Sequence, residues 1–291
     1  MTRTRTHIAR ADSFPVRRFT GRLDVVVNAA LHDRASDGVI ERYLARIGLD
    51  GSDHALPVLH GAHVRSIPYE NLSVRLGREI RLDVGSLVAK MVDRRRGGYC
   101  FEQNTLCAAV LEGLGFTVTR CLGRVRLGDA VSPRPATHMA LLVEDLLVDV
   151  GFGAANPLGP VPLDGEATYG PYTWRTERAV SPEGEAVWLV RLFDMPLYTF
   201  TDAPQHPVDY VAPNHLSSTH PQSIFTQNTI VQRWDENYTQ VGLIGCDLTE
   251  RLPDGAVEVT TVDPDELGDV LRDRFALDVD DDDVAHLSAL T

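Results

Sequence analysis

The hydrophobic period changes from helical to strand-like at Gly115, and that change limits the possible folds more than any other feature. Before it, apolar residues recur at helical spacing. A Ser36 or Asp37 cap opens a run through Ile40, Tyr43, Leu44 and Ile47 that stops near Gly48. A second helix is predicted over residues 57–66, ahead of Pro68. Asp83 caps a third, with Leu87, Val88, Met91 and Val92 on one face. A fourth carries Phe101, Leu106, Cys107, Val110, Leu111 and Leu114 and ends at Gly115. After Gly115 the period is two, the signature of half-buried strands. Residues 117–127, 137–143, 146–152, 186–193 and 230–234 read as strands, with 238–244 a further candidate. A last helix runs from Pro264 through Leu267, Val270, Leu271 and Phe275. Helices first, strands in the middle and a mixed end predict an α+β fold whose first third is a small helical bundle. Residues 1–36 show no periodicity and read as an N-terminal extension.

Composition removes several functional classes. A net charge of −13 disfavours a nucleic-acid partner, because phosphate binding needs concentrated Lys and Arg. Part of that charge lies in Asp278-Val279-Asp280-Asp281-Asp282-Asp283, which reads as a solvated loop without the glycine and closing glutamate of a calcium loop. No apolar run approaches the roughly 18 residues of a membrane-spanning helix, and no signal-peptide core follows the arginines near the start. Four cysteines without a C-x-x-C pair argue against a zinc site and against a disulfide framework, and fit a reducing cytoplasm.

The chemistry concentrates at Arg96-Gly97-Gly98-Tyr99-Cys100-Phe101-Glu102-Gln103-Asn104. A loop delivers Cys100 to the first turn of the fourth helix, where the positive end of the helix dipole favours a thiolate, the nucleophilic form of cysteine. The competing reading is a buried, inert cysteine. A nucleophilic cysteine needs a base and a group to orient that base. His138 and Asp149 fit those roles. With Glu144-Asp145 as a hairpin turn, Val143 pairs with Leu146 and Ala140 faces Asp149. His138 and Ala140 share a face, so Asp149 becomes the diagonal neighbour of His138. The carboxylate can then hold the imidazole and leave the other ring nitrogen for Cys100, a triad with sulfur as the nucleophile. A carboxylate flanked by Leu146, Leu147, Val148 and Val150 is costly to bury without such a partner.

Other motifs carry less. Gly151-Phe152-Gly153-Ala154-Ala155-Asn156 lacks the third glycine of a dinucleotide fingerprint, and Pro157 interrupts the helix that should follow. His60-Gly61-Ala62-His63 has too few ligands for a metal site and reads as two histidines on a wet helix face. Tyr69, Phe152 and Phe225 taken singly read as core aromatics.

Taken together, the Arg96–Asn104 segment, Thr137-His138 and Asp149-Val150-Gly151-Phe152-Gly153 resemble three signatures of the arylamine N-acetyltransferases. Ile67-Pro68-Tyr69-Glu70-Asn71-Leu72 upstream and Ser218-Thr219-His220-Pro221 with Phe225 downstream extend the resemblance from about Ile40 to the C-terminus. The resemblance implies a helical bundle over 37–115, an antiparallel β-barrel-like domain over 116–212 and an α/β lid over 213–291, around a core like that of cysteine proteases. It implies Cys100, His138 and Asp149 as the triad. Arg96 and Glu70 would form a buried ion pair behind it, with Asn71 nearby. Tyr69, Val125, Phe152 and Phe225 would line the acceptor pocket, and Thr137 and Gly153 would lie near the acyl donor. The implied reaction is ping-pong transfer of acetyl from acetyl-CoA, or another acyl thioester, to an arylamine or arylhydrazine. No bound cofactor or metal is implied; the partners are a small amine and an acyl-CoA.

Two features depart from the family pattern. One is the long N-terminal extension, and the other is Ala212-Pro213-Asn214-His215-Leu216 in place of an aromatic-rich approach to Ser218. They leave open an amide synthase that takes its acyl chain from a carrier protein. The order Cys, His, Asp also occurs in thiol hydrolases and transglutaminase-like enzymes, and a non-catalytic binding protein on the same fold is the remaining alternative.

Overall fold

In the computed structural model, which describes residues 34–51, 53–127 and 132–290, a helical first third and a strand-rich remainder meet along one buried helix. Apart from its last three residues, the N-terminal extension expected over 1–36 lies outside the described residues. The first helices form where the spacing placed them: α1 (Asp37–Arg46), α2 (Leu56–Ser66) with proline in its first turn, and α4 (Val84–Leu87), which continues as a π-helical turn over Val88–Asp93. The Asp83 carboxylate caps α4 by accepting from the Ser86 N–H at 3.0 Å. A two-residue strand β1 (Tyr69–Glu70) and a single turn α3 (Leu72–Arg75) lie between α2 and α4.

Helix α5 (Cys100–Gly113) is buried continuously from Cys100 to Leu111, so it is a core helix rather than an amphipathic one. Its polar residues Glu102, Gln103 and Asn104 are therefore buried with it and must find partners inside the protein. The helix closes where the Phe116 N–H reaches the Leu111 carbonyl at 2.9 Å, just past Gly115.

Eight antiparallel strands then form a nearly closed sheet: β2 (Val118–Val125), β3 (His138–Val143), β4 (Leu146–Val148), β5 (Val161–Pro162), β6 (Gly165–Tyr169), β7 (Tyr172–Val180), β8 (Ala186–Leu192) and β9 (Met195–Phe200). Their spatial order is β5-β4-β3-β2-β9-β8-β7-β6. The Thr176 hydroxyl of β7 donates to the Pro162 carbonyl of β5 at 2.6 Å, which brings the two ends of the sheet together. The expected hairpin forms in the expected register, with Leu141 opposite Val148 and Val143 opposite Leu146 across Glu144-Asp145.

The strand expected over 146–152 is shorter than its apolar run. It stops at Val148 because Asp149 bends the chain back on itself, its carboxylate accepting from the Gly151 N–H at 2.9 Å.

After two helical turns, α6 (Val211–Thr219) and α7 (Ile224–Gln227), a second antiparallel sheet runs through β10 (Ile230–Trp234), β11 (Gln240–Ile244), β12 (Asp247–Arg251) and β13 (Val257–Thr261). Strand β1 adds to β10 at its edge, so the helical segment and the C-terminal sheet are hydrogen-bonded into one layer. One face of this sheet (Val231, Val241, Leu243, Leu248) packs on Leu267, Leu271 and Phe275 of the helical segment that starts at Pro264. The molecule is thus α+β, with a helical bundle, a barrel-like sheet and an α/β lid.

Two expectations need correction. The Asp278–Asp283 run is not a solvated loop: it leads into helix α8 (Asp281–Ser288), whose first turn suits acidic side chains. Asp283 is buried there and accepts from Arg78 Nη1 at 2.7 Å. His60 and His63 are not on a wet face. Helix α2 turns both into the interior, where each has a polar partner.

Candidate active site

Cys100 is the first residue of α5, and the turn before it is fixed by a capping interaction in which Glu102 Oε2 accepts the Tyr99 N–H at 3.2 Å. Glu102 is in turn bound by Lys90 Nζ at 2.7 Å. Burial raises the Glu102 pKa more than Lys90 and the Tyr99 N–H can lower it. Glu70 sits on the other side of the same loop. Its Oε1 accepts from the Gly97 N–H at 3.2 Å and its Oε2 from the Leu72 N–H at 2.6 Å. Arg96 Nη2 lies 3.2 Å from Glu70 Oε1, close enough for an ion pair but not aligned for a hydrogen bond, and Lys90 Nζ stands 3.8 Å away. Burial works against the Glu70 charge, yet these cations and amides hold its pKa below the usual value. Lys90, the sole lysine of the chain, therefore bridges two buried glutamates.

His138 opens β3 and Asp149 follows β4, and the hairpin register brings them into contact: His138 Nε2 lies 2.7 Å from Asp149 Oδ2. The remaining ring nitrogen is Nδ1, and Cys100 is close enough to His138 to help raise its pKa. The Cys100 Sγ is also 3.6 Å from the Thr137 carbonyl. Cys100, His138 and Asp149 are 3%, 2% and 0% exposed, so little solvent screens the His138–Asp149 pair. Burial opposes charge on His138, but Asp149 and Cys100 outweigh it and raise the pKa to about 10. Burial also opposes the Asp149 charge, and His138, Asn104 and the Gly151 N–H overcome it, so the carboxyl pKa is lowered.

Asp149 has a full set of donors. Oδ1 accepts from Asn104 Nδ2 at 3.0 Å and from the Gly151 N–H at 2.9 Å. Oδ2 accepts from His138 and from the Tyr198 hydroxyl, both at 2.7 Å. Tyr198 pairs with Val125 across β2 and β9, and its ring packs 4.5 Å from the imidazole. Asn104 Oδ1 also takes the Val150 N–H at 3.1 Å, so one side chain from the Cys100 helix holds both the carboxylate and the chain after it. Glycine is required at 151, since a Cβ there would lie 2.8 Å from Cys100 Cα and 2.7 Å from Asn104 Nδ2.

The aromatic residues form the surrounding wall. Phe152 stands edge-on to His138 at 4.9 Å, Phe225 edge-on to Tyr99 at 5.4 Å, and Tyr69 lies 6.4 Å from Phe225. Gly153 turns the chain at φ +78°, and a Cβ on it would reach within 3.4 Å of the Tyr69 ring. Val125 of β2 stands opposite Tyr198, and Thr137 precedes β3 with its carbonyl 3.6 Å from the Cys100 Sγ. Asn71 is one step removed: its Nδ2 donates to the Phe225 and Asn228 carbonyls at 2.8 and 2.7 Å, and its Oδ1 accepts the Ile230 N–H at 2.8 Å. It pins the segment that carries Phe225.

Sequence reasoning did not assign roles to Asn104, Tyr198, Lys90, Glu102 or Gln103. For the α5 residues a signal existed, since four polar positions follow Cys100 inside a helix buried on every face. Tyr198 had none, because its strand was not recognised. Burial pushes the Cys107 and Cys121 thiols up to about 12, leaving them inert at neutral pH. Among the described residues, no group of His, Cys, Asp and Glu is arranged to hold a metal ion, and no helix is long and apolar enough to cross a membrane.

A family model described as N-acetyltransferase matches residues 54–284. The chain is 36% identical over 261 residues to an arylamine N-acetyltransferase of Mycolicibacterium smegmatis, an alignment that covers 82% of this chain and 92% of that one. Among solved structures, the arylamine N-acetyltransferase of Nocardia farcinica superposes with a TM-score of 0.78 at 38% identity, covering 86% of this chain and 93% of that one. The Mycobacterium marinum arylamine N-acetyltransferase in complex with CoA superposes with a TM-score of 0.77 at 29% identity, covering 86% and 97%.

Proposed function

The chain belongs to the arylamine N-acetyltransferase family of acyltransferases, and on that premise we propose that it moves an acetyl group from acetyl-CoA to an arylamine or arylhydrazine through a thioester on Cys100. The observation that carries this reading is the His138–Asp149 pair at 2.7 Å, buried beside a cysteine at the first position of a helix. Asp149 fixes Nε2 of the imidazole as an N–H. That leaves Nδ1 to take the Cys100 proton, giving a thiolate beside an imidazolium.

The thiolate attacks the thioester carbonyl. Backbone N–H groups at the start of α5 face the developing oxyanion. The tetrahedral intermediate collapses by breaking the bond to the coenzyme A sulfur, and His138 returns its proton to that leaving thiolate. The amine nitrogen then attacks acetyl-Cys100. His138 takes the proton that the amine loses, the C–S bond breaks, and Cys100 leaves as the thiolate. Tyr69, Phe152, Phe225 and Val125 supply an apolar wall for an aromatic acceptor, and Thr137 and Gly153 border the approach of the acyl donor. Arg96, Glu70 and Asn71 act behind the site by fixing the Gly97 loop and the Phe225 segment.

The test is a stopped-flow measurement with acetyl-CoA alone and with acetyl-CoA plus an aniline. The reading expects a stoichiometric burst of free CoA, acetanilide on adding the amine, and loss of both in Cys100→Ala. Burst and turnover retained in Cys100→Ala would overturn it. Free acetate without acetanilide would point to a hydrolase, and selective acylation by a carrier-protein thioester would point to an amide synthase.

A further inference from the structure

Behind the Cys100 loop lies a polar chain that the acyl-transfer reading leaves unused. It runs from α1 through α2 to α5. The Tyr43 hydroxyl lies 2.7 Å from His63 Nδ1, and His63 Nε2 lies 2.7 Å from Gln103 Oε1. Gln103 Nε2 lies 2.8 Å from the Pro68 carbonyl and 3.2 Å from the Gly98 carbonyl. All three side chains are at most 1% exposed, so no water competes for these bonds.

The donor order along this chain is forced. Only an amide NH2 can donate to the two carbonyls, so Gln103 must present its oxygen to His63. Nε2 of His63 must then carry the hydrogen, and Nδ1, left without one, must accept from Tyr43. A neutral histidine satisfies every member. A charged one would face the Tyr43 hydroxyl with a second N–H, and that hydroxyl would lose its acceptor. Burial lowers the His63 pKa to about 3, which agrees with the neutral form.

The far end of the relay matters for position. The Gly98 carbonyl also accepts the Glu70 N–H at 3.0 Å, so Gln103 grips the point where β1 and the Cys100 loop cross. Two residues beyond Gly98 is Cys100. Gln103 itself is one helical turn along α5, tied to the same loop from the inside.

We propose that Gln103, oriented by His63 and Tyr43, is a positioning residue that sets where the Cys100 sulfur stands relative to His138. The proposal rests on Cys100 being the acylated nucleophile. Gln103→Met keeps length and volume while removing both ends of the relay. It is expected to slow Cys100 acetylation, read as the rate of the CoA burst per folded molecule, by about tenfold or more, as small displacements of a reacting group do. The double variant Gln103→Met/His63→Phe should be no slower than the single within about twofold, because one relay is lost only once.

Alkylation of Cys100 by iodoacetamide provides a reading that needs no acyl donor. A change of at least about threefold in Gln103→Met supports the proposal. Alkylation and burst rates both equal to the wild type overturn it, and a lowered melting temperature with unchanged rates would mean a purely structural role. A wild-type protein that gives no burst would instead overturn the acyl-transfer reading, with the alkylation rates still deciding the relay. If Gln103→Met fails to fold, Tyr43→Phe serves in its place: Cys100 alkylation altered by about threefold supports the relay, and an unchanged rate overturns it.

Discussion

Replacing Tyr198 by Phe tests how much of the site's order comes from saturating one carboxylate. Asp149 is fully buried and receives four donors, two on each oxygen. The Tyr198 hydroxyl is the one donor that can be removed without disturbing backbone, the imidazole or the Cys100 helix. The ring stays, still packed against His138 and Phe152 at 4.5 and 5.0 Å, so no cavity term enters. What is lost is one hydrogen bond to an ionised group, worth about 1.5–3 kcal/mol. At ~2–4 °C per kcal/mol for a domain approaching this size, the melting temperature should fall by roughly 3–12 °C.

The pH dependence of that loss has a definite sign. The folded Asp149 pKa is lowered, so its paired carboxylate contributes stability that is present above the unfolded value, about 3.9, and lost as pH falls through the folded one. The gap between wild type and Tyr198→Phe should therefore be constant through neutral pH and narrow only under strong acid. Acetyl transfer should fall by less than about tenfold, because His138 keeps its bond to Asp149. Thermal melts followed by circular dichroism at several pH values, with burst kinetics at pH 7, measure all three quantities. A melting temperature within about 1 °C of wild type would refute the accounting, since it would mean that the fourth donor adds nothing in a site this dry.

The remaining expectations concern titration and close contact. His138, raised to about 10, contributes stability that is fully present below its unfolded pKa near 6.5 and lost as pH rises through about 10. The stability gap between wild type and His138→Gln should therefore shrink over that range in denaturant titrations, and a gap that widened would contradict the charged pair. His60 and His63, lowered to about 4 and about 3, have the opposite sign: their contribution is present above about 6.5 and is lost toward those values, so acid unfolding should be shallower in His63→Phe. Gly151→Ala would press a methyl group to 2.8 Å from Cys100 Cα. It should cost about 1–3 kcal/mol and slow the CoA burst more than about tenfold; a normal burst would show that the loop yields.

Much of the site was legible because it depends on short-range rules. The hairpin at Glu144-Asp145 fixed register by parity, so Asp149 could be set beside His138 without any knowledge of the third dimension. Helix α5 was legible from its period and its closing glycine. What could not be read was any partner whose strand is defined by pairing rather than by burial. In β7 only Trp174 and Thr176 are buried, and β13 is exposed along its whole length, so in neither does an apolar alternation extend along the whole strand. Tyr198 was lost with β9 for a similar reason, although four of that strand's six residues are buried, because Pro196 and the turn at Phe193-Asp194 interrupt the pattern. The histidines of α2 were misread because charge and polarity are a poor guide to exposure when each polar atom has an interior partner. Buried histidines are rare enough that their spacing alone, three apart on one helix face, reads first as solvent.

The distribution of donors also decides which group can change its protonation during the reaction. All four acceptor sites of Asp149 are filled, so it can neither turn toward the sulfur nor take a proton without breaking a bond to Tyr198, Asn104 or Gly151. Its lowered pKa has the same origin. Gln103 and His63 are closed in the same way by a forced donor order, and Glu70 is held as an anion by two amides and two cations. Cys100 and His138 are not closed in this way: the thiol meets the Thr137 carbonyl at 3.6 Å and helps raise the imidazole pKa. A proton leaving the sulfur has one basic atom to go to, the imidazole nitrogen facing it, and it must return by the same route. The buried polar groups around the site thus confine proton exchange to the one pair that the proposed acyl transfer requires. A substitution that opens any of the closed sets, such as Asn104→Leu, should damage acetylation even though it leaves all three members of the triad in place.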